Sequence, residues 1–265
     1  MEIIICDSVE AVGRVAAAKV ARVCRDVVAA GKEQPVVGFA TGSSPLAIYS
    51  DLARRIDAGE LDLSTAYGFA LDEYVGLPAR HPESYAEVID RTVTKPLGMD
   101  PTRVFVPEGR ADDIPAACAH YEEQIAAAGG VDIQILGIGQ NGHIGFNEPG
   151  SSFASRTRIK TLASRTRQDN TRFFASADEV PTHCLTQGLG TISDAGETVL
   201  VAQGANKAAA IAAMAEGPVS ALCPASVLQF HRRATIVIDE AAAGDLQLAD
   251  YYREVYEGKP SWQQF

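Results

Sequence analysis

The chain has 265 residues, of which 46% are hydrophobic and 22% are charged, so it can form a globular domain with a substantial core. Its net charge of −11 disfavours binding to nucleic acid or to an anionic membrane, and an anionic substrate would need a local cluster of basic residues. Five cysteines without a C-x-x-C pair argue against a disulfide framework or a structural zinc site, and neither a signal peptide nor a membrane span is recognisable. We therefore expect a cytoplasmic protein.

Short apolar runs alternate with alanine-rich helical patterns along the chain. Strands are predicted at residues 3–6, 36–40, 67–71, 104–106, 133–137, 198–202 and 235–238, and helices at residues 9–31, 45–58, 84–94, 115–128 and 206–216. The strands are short and continuously apolar, which favours buried parallel strands. We expect a single α/β domain over residues 1–265, with a Rossmann-like, mostly parallel sheet and helices on both faces.

Polar, glycine-rich turns follow four of the predicted strands, and they begin near Thr41, Asp72, Gly139 and Gln203. Ligands of open α/β sheets bind beyond the carboxyl ends of the strands. These four turns should therefore meet at one edge of the sheet and form a site there.

The turn Thr41-Gly42-Ser43-Ser44-Pro45 has the composition of a phosphate-binding turn. Glycine allows close approach of the backbone, the serines offer hydroxyl and N–H donors, and proline suits the start of a helix whose N-terminus would face the anion. A serine N-cap without any ligand explains the same residues about equally well. The turn is not a Walker A loop, because it has no lysine after the glycine.

The segment that starts at Gly137 matches G-x-G-x-x-G, but Gly145, Pro149 and Gly150 prevent the long helix that a dinucleotide site requires. The glycines instead predict a sharp loop that presents His143. Its imidazole can exchange protons near neutral pH, and Glu148, five residues later, can orient it. A purely structural histidine is the alternative, and the glycine-rich setting at the end of a strand favours a functional one.

Asp72 and Glu73 directly follow a predicted apolar strand. Partial burial there would raise the pKa of one carboxylate towards that of a useful general base. A solvated acidic turn is an equally good interpretation of this dipeptide alone.

Basic residues are concentrated in one stretch: Arg156, Arg158, Lys160, Arg165, Arg167 and Arg172. Lys207 follows a glycine turn further along the chain. In so acidic a protein these cations are the natural place for a phosphate, since arginine can bind it with two parallel hydrogen bonds. A solvated helix face is the ordinary alternative, and the scarcity of aromatic residues disfavours a nucleic-acid surface. The sequence also lacks metal-ligand spacings, the zinc-deaminase motif and the G-x-S-x-G elbow, so we expect neither metal nor cofactor.

Several of these segments together resemble the glucosamine-6-phosphate deaminase family. The resemblance covers the 41–45 turn and the strings LDEYVGL (71–77), HPESY (81–85), GHIGFNEP (142–149) and SRTRIKTL (155–162), and it extends to about residue 240. It implies conversion of glucosamine 6-phosphate and water to fructose 6-phosphate and ammonia.

The resemblance also implies roles for individual residues. Asp72 would move a proton between C2 and C1 of the open-chain sugar, and His143, oriented by Glu148, would open the sugar ring. The phosphate would be bound by Thr41, Gly42, Ser43, Ser44, Arg172 and Lys207. Residues 158–182 are similar to the family's mobile lid.

One position departs from the pattern common in the family, because this chain has Asn141 where many members have aspartate. Asparagine can still hydrogen-bond the imidazole but carries no charge. It should hold His143 in place and support its cationic form less, which shifts the pH optimum without abolishing activity.

The resemblance has implications for regulation as well. Some relatives are hexamers in which N-acetylglucosamine 6-phosphate binds between subunits as an activator, whereas others are monomers without this control. The positions that resemble the activator site are Ser151, Arg158, Lys160 and Tyr251.

Two other functions remain open. A 6-phosphogluconolactonase-like hydrolase would share the fold and the phosphate turn but has no need of a base at Asp72. A non-catalytic sugar-phosphate-binding regulator would keep Ser43, Arg172 and Lys207 without needing His143. Ammonia release separates the three functions.

Overall fold

The computed structural model describes every residue from Met1 to Phe265. The strands are β1 (Glu2–Cys6), β2 (Val36–Phe39), β3 (Tyr67–Ala70), β4 (Asp72–Tyr74), β5 (Val104–Phe105), β6 (Ile133–Leu136), β7 (Arg158–Thr161), β8 (His183–Thr186), β9 (Glu197–Ala202) and β10 (Ala234–Asp239). Seven of them form a parallel sheet in the order β1-β10-β9-β6-β2-β3-β5. The predicted parallel sheet is therefore confirmed, with each predicted strand present to within about one residue.

The remaining three strands form a small antiparallel sheet in the order β4-β8-β7, which the sequence analysis did not predict. Strand β4 follows β3 after the single residue Leu71. The Leu71 N–H donates to the oxygen of Phe39, and the Leu71 oxygen accepts from the N–H of Gln187. The chain thus passes at Leu71 from the parallel sheet to the antiparallel one, and Asp72 lies at this junction.

The helices are α1 (Val9–Ala29), α2 (Leu46–Asp57), α3 (Tyr85–Ile89), α4 (Ile114–Ala127), α5 (Ser164–Asn170), α6 (Leu189–Ser193), α7 (Ala208–Ala215) and α8 (Ala249–Glu257). The helix predicted at 84–94 is shorter than expected, because a π-helical turn occupies Asp90–Thr94. Helices α5, α6 and α8 were not predicted. None of the helices combines the length and apolar composition that a membrane span needs.

Alternate residues of the central strands face opposite layers of helices. In β2, Val37 and Phe39 belong to the main core with residues of α1 and α2, whereas Val36 packs in a second cluster with Tyr121 and Ile125 of α4. The period of two along each buried strand thus requires an apolar helix face on both sides. This confirms the prediction of helices on both faces.

Candidate active site

Asp72 is a buried carboxylate at the start of β4. Only 5% of its surface is exposed, and it lines a cavity of about 720 Å³. Burial raises the pKa of Asp72 well above its ordinary value, and the neighbouring charge of Glu73 raises it further. Asp72 is therefore a stronger base than a solvated carboxylate, as a group that removes a proton from carbon requires.

The adjacent carboxylate, Glu73, has a structural role. Its Oε1 accepts hydrogen bonds from the backbone N–H groups of Tyr74 (2.7 Å) and Tyr85 (2.9 Å), and its Oε2 accepts from Ala86 (2.9 Å). Glu73 thereby caps the N-terminus of α3 and fixes β4 against it. Alternation along β4 leaves Asp72 and Tyr74 to line the cavity.

The turn from Thr41 to Ser44 lies at the N-terminus of α2 and also lines the cavity. Gly42 has φ +95°, a conformation that a side chain disfavours. The backbone N–H groups of Gly42, Ser43 and Ser44 donate no hydrogen bond within the protein. Three free donors at the positive end of a helix can bind an anion such as phosphate.

His143 lies in the tight loop after β6. The N–H of Gly139 donates to the His143 oxygen at 2.9 Å, and the imidazole packs directly over Gly139, where a Cβ atom would overlap the ring. Burial lowers the pKa of His143, the Glu148 carboxylate partly opposes that shift, and the nearby cation Lys207 lowers it further. The imidazole is consequently neutral at physiological pH and able to accept a proton.

Asn141 and Glu148 lie behind His143 rather than in the cavity wall. The Asn141 Nδ2 donates to Glu148 Oε2 at 2.6 Å, and its Oδ1 accepts from the backbone N–H of His143 at 3.3 Å. The prediction that Asn141 hydrogen-bonds the imidazole is therefore wrong. Its side-chain amide binds the Glu148 carboxylate and the backbone N–H of His143 instead. Glu148 Oε2 is 3.8 Å from the His143 Nδ1, a distance that suits an ion pair with a protonated imidazole.

Two cations of the basic set line the cavity. Lys207 donates from Nζ to the oxygen of Ile138 at 2.7 Å, and burial lowers its pKa. Arg172 lies in the cavity wall with its guanidinium 4.7 Å from the centre of the Phe173 ring. Arg156, by contrast, is bound to Glu122 and Asp194, so the stretch of basic residues is not one phosphate site.

The cavity brings together polar groups that the sequence predicted from the four turns and from the basic stretch: Thr41, Gly42, Ser43, Ser44, Asp72, His143, Arg172 and Lys207. Sequence reasoning missed other lining residues, among them Tyr85, Thr166, Asp169 and Phe174. Tyr85 could have been found from the sequence, because it belongs to the HPESY string that resembles the family. Thr166, Asp169 and Phe174 lie in no catalytic motif.

The four residues proposed for activator binding do not meet within one chain. Ser151 is buried, and its hydroxyl donates to the backbone carbonyl oxygen of Glu148 at 2.7 Å. Arg158 and Lys160 are two residues apart on β7 and share one face of that strand. Tyr251 lies on α8, which packs against β1 at the opposite edge of the central sheet. A site made of all four would need a second copy of the chain.

The family model of glucosamine-6-phosphate isomerases/6-phosphogluconolactonase matches residues 7–237. The chain belongs to this family. A glucosamine-6-phosphate deaminase of Pseudarthrobacter chlorophenolicus is 57% identical over 263 residues, which cover 99% of both chains.

Solved structures agree with membership of the glucosamine-6-phosphate isomerase/6-phosphogluconolactonase family. A monomeric glucosamine-6-phosphate deaminase superposes with a TM-score of 0.88 at 39% identity and covers 92% of this chain and 100% of its own. A 6-phosphogluconolactonase from Trypanosoma cruzi reaches a TM-score of 0.71 at 19% identity, covering 93% and 97%. The latter similarity concerns the fold alone.

Proposed function

We propose that the protein converts glucosamine 6-phosphate and water to fructose 6-phosphate and ammonia. The observation that carries this proposal is one cavity that contains a buried carboxylate of raised pKa, a neutral imidazole and an anion-binding turn with two cations. The identity with glucosamine-6-phosphate deaminases over nearly the whole chain supports the same activity.

The reaction begins with opening of the sugar ring. His143, neutral in the free site because burial lowers its pKa, takes the proton from O1 and delivers it to O5. During this transfer the imidazole is briefly cationic, and Glu148, 3.8 Å from Nδ1, stabilises that charge. Protonation is transient because burial favours the neutral ring.

Asp72 then moves a proton from C2 to C1 of the open-chain amino aldehyde. The electron pair of the C2–H bond forms a C1=C2 double bond, the C1=O π pair moves to O1, and O1 takes up a proton released by the substrate's ammonium group. Asp72 then gives its proton to C1 while the nitrogen lone pair forms the C2=N bond, which leaves a protonated imine at C2. Water adds to this carbon, ammonia leaves, and the ketone of fructose 6-phosphate forms. The sugar phosphate and one water give the ketose phosphate and one ammonia, so atoms balance without an oxidant or reductant.

The Thr41–Ser44 turn with Arg172 and Lys207 binds the phosphate at the other end of the sugar. Binding energy from this remote group holds C1 and C2 against the two proton-transfer groups, which is how a non-reacting phosphate increases the rate.

Lactone hydrolysis and non-catalytic sugar-phosphate binding each leave part of the site without a role. Lactone hydrolysis needs no base that enolises a sugar, so it gives the buried carboxyl group of Asp72 no role. A regulator without catalysis has no need of a neutral imidazole backed by Glu148. The close relatives are named as deaminases, which supports the first function over both.

The decisive experiment is an assay of the purified protein with glucosamine 6-phosphate that measures ammonia and fructose 6-phosphate together. Equal amounts of both products are expected, with no hydrolysis of 6-phosphogluconolactone above the uncatalysed rate. Lactone hydrolysis without ammonia release would assign the rival hydrolase activity, and phosphosugar binding without turnover would assign the regulator.

Replacing Lys207 with alanine should raise the KM for glucosamine 6-phosphate about 10–100-fold, because a partly buried cation and its charge-assisted hydrogen bond to phosphate are lost. The effect on kcat should be smaller. Steady-state kinetics with inorganic phosphate as competitive inhibitor measure this, since Ki should rise with KM. Lys95→Ala, on an exposed lysine paired with Asp90, is the matched control and should change neither constant.

We also infer a mobile lid and assembly into a hexamer with an activator site. Residues 158–182 contribute Thr166, Asp169, Asn170, Arg172, Phe173 and Phe174 to the cavity wall, which supports a lid that moves when substrate enters. Arg158 and Lys160 on one face of β7 support binding of N-acetylglucosamine 6-phosphate between subunits of a hexamer. A monomeric relative makes the single chain the alternative. Hyperbolic kinetics that do not respond to the acetylated sugar phosphate would exclude activation.

We also infer that the protein is cytoplasmic. The five cysteines are free thiols, a state that is stable in a reducing compartment.

A further inference from the structure

The first turn of α5 forms hydrogen bonds to the loop of His143 at two points. Arg165 donates from Nη2 to Gln140 Oε1 at 2.9 Å, just before Asn141. The next residue, Thr166, donates from Oγ1 to Glu148 Oε1 at 2.5 Å and is only 4% exposed. Two adjacent residues of α5 thus hold both ends of the segment 140–148.

Each oxygen of the Glu148 carboxylate consequently has one donor. Oε1 accepts from Thr166, and Oε2 accepts from the Asn141 amide at 2.6 Å. The His143 Nδ1 is buried without a hydrogen-bond partner, although Glu148 Oε2 is only 3.8 Å away. The carboxylate therefore lies near the imidazole without being hydrogen-bonded to it.

We propose that Thr166 is a positioning residue for His143, because its hydroxyl fixes Glu148 at this distance and so sets how readily the imidazole takes up and releases a proton. The inference rests on the proposed function, in which His143 opens the sugar ring. No part of the sequence indicates it, since Thr166 enters the site only through the fold.

The physical reason is the balance of charges around the imidazole. Glu148 from its own loop and Asp169 from α5 raise the pKa of His143, whereas burial and Lys207, in the turn before α7, lower it. Without the Thr166 hydroxyl, Glu148 Oε1 loses its donor, and the carboxylate is free to turn towards the unpartnered Nδ1. Closer contact would raise the pKa of His143 and slow release of the proton to O5.

The placement of Thr166 also links two parts of the site. Arg172 follows six residues later in the same segment and lines the phosphate end of the cavity. A phosphate bound by Arg172 would therefore also hold the segment that keeps Thr166 hydrogen-bonded to Glu148.

The test compares Thr166→Val, which removes the hydroxyl at nearly constant volume, with Thr166→Ser, which keeps it. Thr191→Val is a matched control, because Thr191 also donates to a carboxylate, Glu122, at 2.6 Å but outside the cavity. Two readouts are needed: kcat and KM for ammonia release, and the pKa of His143 from NMR titration of the labelled imidazoles. The chain has five histidines, and the signal missing in His143→Gln identifies the right one.

Thr166→Val is expected to lower kcat about tenfold with KM changed less than about twofold, and to raise the pKa of His143. Thr166→Ser should retain both wild-type values. Thr191→Val should lower the melting temperature while leaving kcat and the His143 titration unchanged.

Unchanged kcat and unchanged His143 titration in Thr166→Val would overturn the inference. Equal losses in the valine and serine variants would do so as well, since packing of the methyl group would then be responsible. The titration needs no turnover, so a wild-type protein that released no ammonia would refute the proposed function while the NMR comparison still decided the role of Thr166.

Discussion

Asp72→Asn should lower kcat about 10²–10⁴-fold while the protein becomes more stable at neutral pH. The loss of rate follows from removal of the only buried carboxylate in the cavity with a strongly raised pKa. The KM should change little, because the phosphate is bound at the Thr41–Ser44 turn and not at position 72.

The gain in stability follows from the same pKa. The pKa of Asp72 in the folded protein is raised above its ordinary value of 3.8, so its charge destabilises the fold at pH values above the raised pKa. Below 3.8 the group is neutral in both states and has no such effect. The difference in unfolding free energy between Asp72→Asn and wild type should therefore be largest at neutral pH and disappear as the pH falls towards 3.8.

Thermal unfolding at several pH values, together with the ammonia assay, measures both effects. Glu73→Ala offers a direct contrast, because it removes the acceptor of three backbone N–H groups, two of them in the first turn of α3, and should therefore lower stability. An Asp72→Asn variant that kept wild-type kcat would exclude Asp72 as the enolising base.

The sequence allowed the catalytic edge to be predicted because it is built from parallel strands. Each strand is a short apolar run, and a polar turn follows four of them, so Asp72 and His143 had to come together once the strands were parallel. The shared cavity is the consequence of topology rather than of any single motif.

The antiparallel sheet was harder to predict for physical reasons. Strand β4 follows β3 after one residue, and its two acidic residues, Asp72 and Glu73, suggested a turn rather than a second strand. Strand β7 has the sequence Arg-Ile-Lys-Thr, whose charges suggested a solvated or phosphate-binding stretch rather than a strand. Only its pairing with β8 defines it, and that pairing spans more than 20 residues of chain.

Side-chain directions were the least predictable part of the site. Asn141 could turn its amide towards the imidazole or towards Glu148, and the sequence does not distinguish these two partners. The buried carboxylate decides the outcome, because a charged acceptor forms the stronger hydrogen bond. Thr166 entered the site for the same reason, as a second donor to that carboxylate.

His143→Gln is also expected to lower kcat about 10²–10⁴-fold, but with a kinetic signature that differs from that of Asp72→Asn. If His143 acts only in ring opening, the variant can still convert the small fraction of substrate that is already in the open-chain form. Its rate at high enzyme concentration should therefore level off at the rate of spontaneous ring opening. Asp72→Asn should instead remain slow in proportion to enzyme at every concentration.

The pH dependence separates the two groups further. The pKa of His143 is lowered from its ordinary value of 6.5, whereas that of Asp72 is raised, and both groups must be unprotonated to begin their steps. Activity is thus lost as the pH falls through the higher of the two values. If that value belongs to Asp72, the acid limb of kcat/KM will persist in His143→Gln. The enzyme-concentration test can also contradict the assigned role. If the rate of His143→Gln rose linearly with enzyme concentration throughout, spontaneously opened substrate would not be restoring turnover, and the imidazole would have to act beyond ring opening.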